Sequence, residues 1–139
     1  MALADPLLVC REVLLADPDV AAIVGTRVYS TPVLPVGHQY PLVRLTLIGG
    51  SAYSPVDFRY SAAFVVQCDM WAESMPDLYA LREATLTALH GPPPDGARAS
   101  YIRPTSEVIS IEEALQPVPY RCRADLAVRV VNVPAPAVP

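Results

Sequence analysis

Apolar and polar residues alternate over two long stretches of the chain, and these set the first expectations about its fold. From Tyr60 to Ala72 the even positions are Tyr60, Ala62, Phe64, Val66, Cys68, Met70 and Ala72, while the odd ones include Ser61, Gln67, Asp69 and Glu73 beyond the end. From Tyr120 to Val131 the same pattern sets Tyr120, Cys122, Ala124, Leu126, Val128 and Val130 against Arg121, Arg123, Asp125, Ala127 and Arg129. A period of two puts successive side chains on opposite faces of a strand, so each segment reads as a strand with one buried and one wetter face. Leu42 to Ile48 is a third strand, with Val43, Leu45 and Leu47 opposed to Arg44 and Thr46, and Glu107 to Ile111 is a weaker fourth with Ile109 and Ile111 inward. Arg27-Val28-Tyr29 reads as a brief strand before a Pro-rich loop.

Helical spacing appears elsewhere. Leu3-Ala4-Asp5-Pro6 and Leu15-Ala16-Asp17-Pro18 repeat one device, in which Asp caps a helix and Pro takes its first position, where a missing N–H costs nothing. The spacing predicts helices over Pro6 to Ala16, with Leu3, Leu7, Cys10 and Leu14 on one stripe, and over Pro18 to Val24, stopped by Gly25. A third begins at the capping-box-like Ser74-Met75-Pro76-Asp77, carries Leu78, Leu81, Thr85, Ala88 and Leu89, and ends at Gly91. The expected fold is α+β: a mainly antiparallel sheet of about four strands with helices packed on one face. Phe64, Val66, Leu81, Leu126 and Val128 are expected among the most buried residues. Residues 1–132 read as one domain, followed by a flexible Pro/Ala tail from Val133 to Pro139.

Composition narrows the classes of function. With 139 residues the chain suits a single core. Charged residues make up 17% and hydrophobic ones 53%, so apolar surface is left over and points to partner interfaces. The net charge is −4 and every basic residue other than histidine is arginine, which disfavours free nucleic acid as the primary ligand. No apolar run reaches the ~18 residues of a membrane span, and Cys10, Cys68 and Cys122 read as reduced structural thiols.

Chemistry is sparse. His38 lies in a Pro/Gly loop and His90 beside Gly91, both in positions that suit surface or capping roles. Cys68 and Cys122 fall on apolar faces, where core packing outweighs nucleophilic roles. Asp69 and Glu73, and the Glu112-Glu113 turn, read as solvated or interface charges, and no phosphate-binding glycine spacing occurs. No catalytic, cofactor-binding or metal residues are assigned, and no cofactor or enzymatic activity is expected. Interface candidates are Tyr53 and Phe58 in the long loop Gly49 to Arg59, Trp71 as an exposed anchor on the polar face of its strand, and Asp69, Arg121, Arg123 and Arg129.

Taken in order, Leu15-Ala16-Asp17-Pro18, then Val24-Gly25-Thr26-Arg27-Val28-Tyr29, Pro41-Leu42-Val43, and Val66-Gln67-Cys68-Asp69-Met70-Trp71-Ala72 leading to Ala88-Leu89-His90-Gly91 resemble the tail terminator (tail completion) family of long-tailed phages. The resemblance spans most of residues 3–131, and the Pro-rich stretch after Gly91 departs from it. It implies a structural virion protein at the head-proximal end of the tail, assembled in the host cytoplasm. Its copies would form a ring, commonly hexameric, that caps the tail tube, stops its polymerisation and joins the tail to the head connector. Implied partners are further copies of the chain, the tail tube protein and a head-side connector or stopper, with DNA passing through the lumen without specific binding and no membrane. Alternatives are another head-tail neck or stopper protein, or a small-molecule-binding or enzymatic α+β domain using the Cys68 and His38 region.

Overall fold

A computed structural model of the chain describes residues 2–3, 5–50, 61–90, 99–111 and 119–133. The two Asp-Pro devices work as the sequence suggests. Asp5 accepts from the backbone N–H of Leu7 at 2.9 Å and opens α1 (Pro6–Ala16), and Asp17 accepts from Asp19 and Val20 to open α2 (Pro18–Val24). Gly25 ends α2 with a φ of 60°, a left-handed conformation that glycine adopts without steric penalty. Ser74 caps α3 (Met75–Ala88) through the N–H of Asp77.

The strands are β1 (Ala2–Leu3), β2 (Val28–Tyr29), β3 (Leu42–Gly50), β4 (Ser61–Ala72), β5 (Ala99–Ile111) and β6 (Tyr120–Val133). They form one mixed, mostly antiparallel sheet in the order β1-β6-β4-β3-β2, with β5 also paired to β6; only β2 and β3 run parallel. The fold is α+β. Six strands are described where about four were expected: β2 on β3 falls within the brief strand read at Arg27-Val28-Tyr29, and β1 is added on the last residues of β6. Leu3, placed by its spacing on the first helical stripe, belongs to β1 and pairs with Asn132.

The long register between β4 and β6, from Ser61 opposite Val131 to Ala72 opposite Tyr120, aligns the two alternating patterns. Val66, Cys68, Met70 and Ala72 then share a fully buried cluster with Cys122, Ala124, Leu126 and Val130. The helices contribute Cys10, Leu14, Val20, Val24, Leu78 and Leu81 to the same cluster.

Three expectations about burial need correction. Phe64 is only partly buried: on one side it pairs with Val128 of the core, but on the other it pairs with Gly50, which has no side chain to cover it. Ile109 and Ile111 are 40% and 52% exposed despite their alternation, since they lie on an outer strand. Leu47 is also exposed, although its β3 neighbours Val43 and Leu45 are fully buried. The strand expected over Glu107 to Ile111 extends back to Ala99. Gly49-Gly50 belong to β3, whereas the rest of the long loop with Tyr53 and Phe58, the Pro-rich stretch after Gly91, Glu112-Glu113 and the tail beyond Val133 lie outside the described residues.

Leu126→Ala removes a fully buried side chain and is expected to cost about 2–5 kcal/mol by chemical denaturation. Phe64→Ala is expected to cost less than Leu126→Ala in the same assay.

Candidate functional site

The polar positions of the central strands form a connected cluster around Asp69. In the sheet register Arg44 of β3 and Arg123 of β6 lie directly opposite Asp69, while Arg121 lies opposite its neighbour Trp71. Diagonal neighbours on one face are within reach of long side chains. Arg121 uses that reach: its Nε and Nη2 donate to Asp69 Oδ1 at 3.0 and 2.6 Å. Oδ2 accepts from Arg44 Nη2 at 3.2 Å and from Gln67 Nε2 at 2.9 Å. Asp69 thus receives four donors on a carboxylate with 0% exposure.

The same arginines flank the indole of Trp71, with guanidinium carbons 5.0 Å (Arg44) and 5.1 Å (Arg121) from the ring centre. Each arginine therefore binds a carboxylate at one place and a π-face at another. Planar guanidinium suits both contacts, where a lysine ammonium would make neither as well. Arg44 also donates to the carbonyl of Pro32 at 3.4 Å, linking the β2–β3 loop to the cluster.

Two readings of these residues change. Trp71, expected as an exposed anchor, is 5% exposed, because the two arginines close over it. Asp69, expected as a solvated or interface charge, is the buried acceptor at the centre. Arg121 is partly buried with it, whereas Arg123 and Arg129 are exposed. Arg44 and Gln67 are members of the cluster that sequence reasoning did not single out. Arg44 was already on the polar side of its strand, but only the β3–β4 register shows that it meets Asp69. The face formed by alternate residues of β3, β4 and β6 carries Arg44, Arg121, Arg123 and Arg129 against Asp69 and Asp125, an excess of positive charge on a chain of net charge −4.

Elsewhere the chemistry is structural. Cys10, Cys68 and Cys122 are free and buried. Burial, with the charge of Asp5 adding to it, pushes the Cys10 thiol up to about 12, and burial, helped by Glu107, pushes Cys122 up to about 11. Cys68 is raised well above the ordinary thiol range, first by burial. Such thiols are poor nucleophiles. His38 contacts Tyr40, its Nε2 being 3.3 Å from the phenol oxygen. An open groove of about 690 Å³ is lined by Arg82, Glu83, Leu86, Thr87, His90, Arg103 and Pro104. On its flank Arg82 bonds Glu107, with Nε 2.6 Å from Oε2, and this bond holds the Glu107 carboxyl below its usual range. Among the described residues no group of three or more His, Cys, Asp or Glu side chains could hold a metal ion, and no helix is long and apolar enough to cross a membrane.

Asp69→Ala leaves two partly buried guanidinium groups without their shared carboxylate and is expected to cost about 3–5 kcal/mol in denaturant titration. The three thiols should resist a thiol reagent at pH 8 in the native protein and react on unfolding. The folded thiol values lie above the ~8.5 of an unfolded cysteine, so their contribution to stability is complete below that pH and is lost as pH rises from there toward the folded values.

No family model matches the chain, and no curated protein matches it. Twelve chains of solved structures match. One of them, from a structure described as the virion of a native gene transfer agent particle, aligns with a TM-score of 0.63 at 19% sequence identity, over 91% of this chain and 94% of that chain. Near-complete coverage of both chains at this low identity makes the likeness one of fold.

Proposed function

We propose that this chain is a structural virion protein of a phage-like particle, acting as a ring-forming tail terminator that caps the tail tube, ends its polymerisation and joins it to the head connector. The observation that carries the reading is the shared fold, end to end, with a chain of a gene transfer agent virion. The tail-terminator resemblance of the sequence agrees with it. The residues behind that resemblance work together in the structure: Arg27 donates from Nε to the carbonyl of Pro41 at 2.9 Å and from Nη2 to that of Ile23 at 3.4 Å, tying the end of α2 to the start of β3. They build the subunit, and partners then meet its surface.

In this reading residues 1–132 make up the subunit, with the Pro/Ala segment as an extension. The arginine-rich sheet face meets acidic surface on neighbouring chains, through Arg123 and Arg129 at the front and the Asp69–Trp71–Arg121 cluster as a stiff backing. Fixing those side chains before assembly lowers the entropy lost at an interface. Tyr53 and Phe58 are further contact candidates.

Mixing the purified chain with tail tubes is expected to give discrete oligomers, about six copies in size, and tubes that no longer elongate from the capped end. A monomer at every concentration, with tube growth unaffected, would overturn the proposal. Arg123→Glu together with Arg129→Glu should leave circular dichroism unchanged and weaken capping more than tenfold, because reversed charges at an interface repel where the native ones attract.

A further inference from the structure

Among the described residues the sheet has two open edges, on opposite sides. No described strand pairs with the outer side of β5, and beyond Arg44 none pairs with the outer side of β3, since β2 reaches only Val43 and Arg44. An open edge presents unpaired N–H and C=O groups, and proteins ordinarily guard it with lysine, proline or an inward charge. Pro104 guards the first half of β5. The second half carries one charge on the side of α3, Glu107, which Arg82 engages, and is otherwise apolar and open: Val108 is 62%, Ile109 40% and Ile111 52% exposed. The edge of β3 is similar, with Leu47 45% and Ile48 47% exposed, and a register shift leaves Ile48 outside the pairing with β4.

Strand direction makes the two edges compatible. β3 and β6 run one way and β4 and β5 the other. A second copy set beside the first without inversion would bring its β3 antiparallel to β5. Charge favours the same order. Exposed Asp5, Glu12 and Asp19 lie on or beside α1 and α2, and α1 packs over β2 and β3; the exposed arginines among the described residues, Arg103, Arg123 and Arg129, all lie on β5 and β6. Exposed Glu107 on β5 is held by Arg82, which leaves an arginine excess at this end of the sheet and an acidic excess at the other.

We infer that copies of this chain join head to tail, the second half of β5 of one copy pairing antiparallel with the Leu45–Gly50 edge of β3 in the next. The inference rests on the ring reading above and names its subunit contact. A heterologous contact of this kind repeats around a ring, whereas β5 pairing with β5 about a twofold axis would stop at a dimer.

The test uses the full chain carrying Leu47→Cys and Ile109→Cys, singly and together, with a short bismaleimide. The native cysteines are buried, so coupling reports the introduced thiols. The double variant is expected to give a ladder beyond the dimer, the two single variants mixed to give one cross-linked pair, and each single variant alone to give none. Dimers from Ile109→Cys alone would overturn the inference in favour of twofold pairing. A wild-type ring by sedimentation without a ladder from the double variant would overturn the edge contact and leave the ring reading standing; wild-type monomers that cap no tubes would overturn both. As a control that adds no thiol, Val108→Lys with Ile111→Lys should keep the native circular dichroism and weaken assembly at least tenfold, and assembly unchanged by it would also overturn the edge contact.

Discussion

A carboxylate with no solvent exposure lies among the three central strands, and its four donors decide how their polar face is organised. Burying an ion is expensive unless geometry and hydrogen bonds compensate, so Asp69 holds its neighbours to one arrangement. Arg44 arrives from β3 and Arg121 from β6, and both also cover Trp71. The cluster therefore couples the register of three strands to the burial of the chain's single tryptophan. A register slip of one residue in β3 would take Arg44 from the carboxylate, and one in β6 would take Arg121.

That rigidity fits a protein whose task is to present surfaces. The thiols are sealed in the core, and on the central face the Asp69 carboxylate is engaged by its neighbours while Arg44 Nε, Trp71 Nε1 and Asp125 Oδ1 are buried without a hydrogen bond. Outside stand exposed arginines on β5 and β6, exposed carboxylates mostly on or beside the helices with Glu107 on β5, and apolar side chains along two strand edges that no described strand covers. A surface whose two ends differ in this way suits a polar, repeating assembly better than a symmetric pair.

Much of the framework was legible because its signals are local. Asp-Pro caps mark α1 and α2, and alternation marks β4 and β6, since each depends on residues adjacent in the chain. The first half of β5 was not legible: Ala99 to Ser106 has no clean alternation and contains Pro104, which a strand tolerates at an outer edge, where no N–H is needed for pairing. β1 is too short to leave a pattern and exists only through its partner, whereas β2 was legible as the brief strand at Arg27-Val28-Tyr29. The site was legible in its members but not in its state. Asp69, Trp71 and Arg121 stood on the polar sides of their strands, which suggested exposure. Their burial follows from which arginines the register brings alongside, and alternation within one strand carries no information about its neighbours.

Electron cryomicroscopy of tail tubes incubated with the purified chain would show whether this fold serves, as proposed, as a ring at the end of a tube. The expected image is a closed ring of copies at one end of each tube, with strand density continuous between adjacent subunits. Bare tube ends, or the chain bound along the tube wall as single copies, would contradict it.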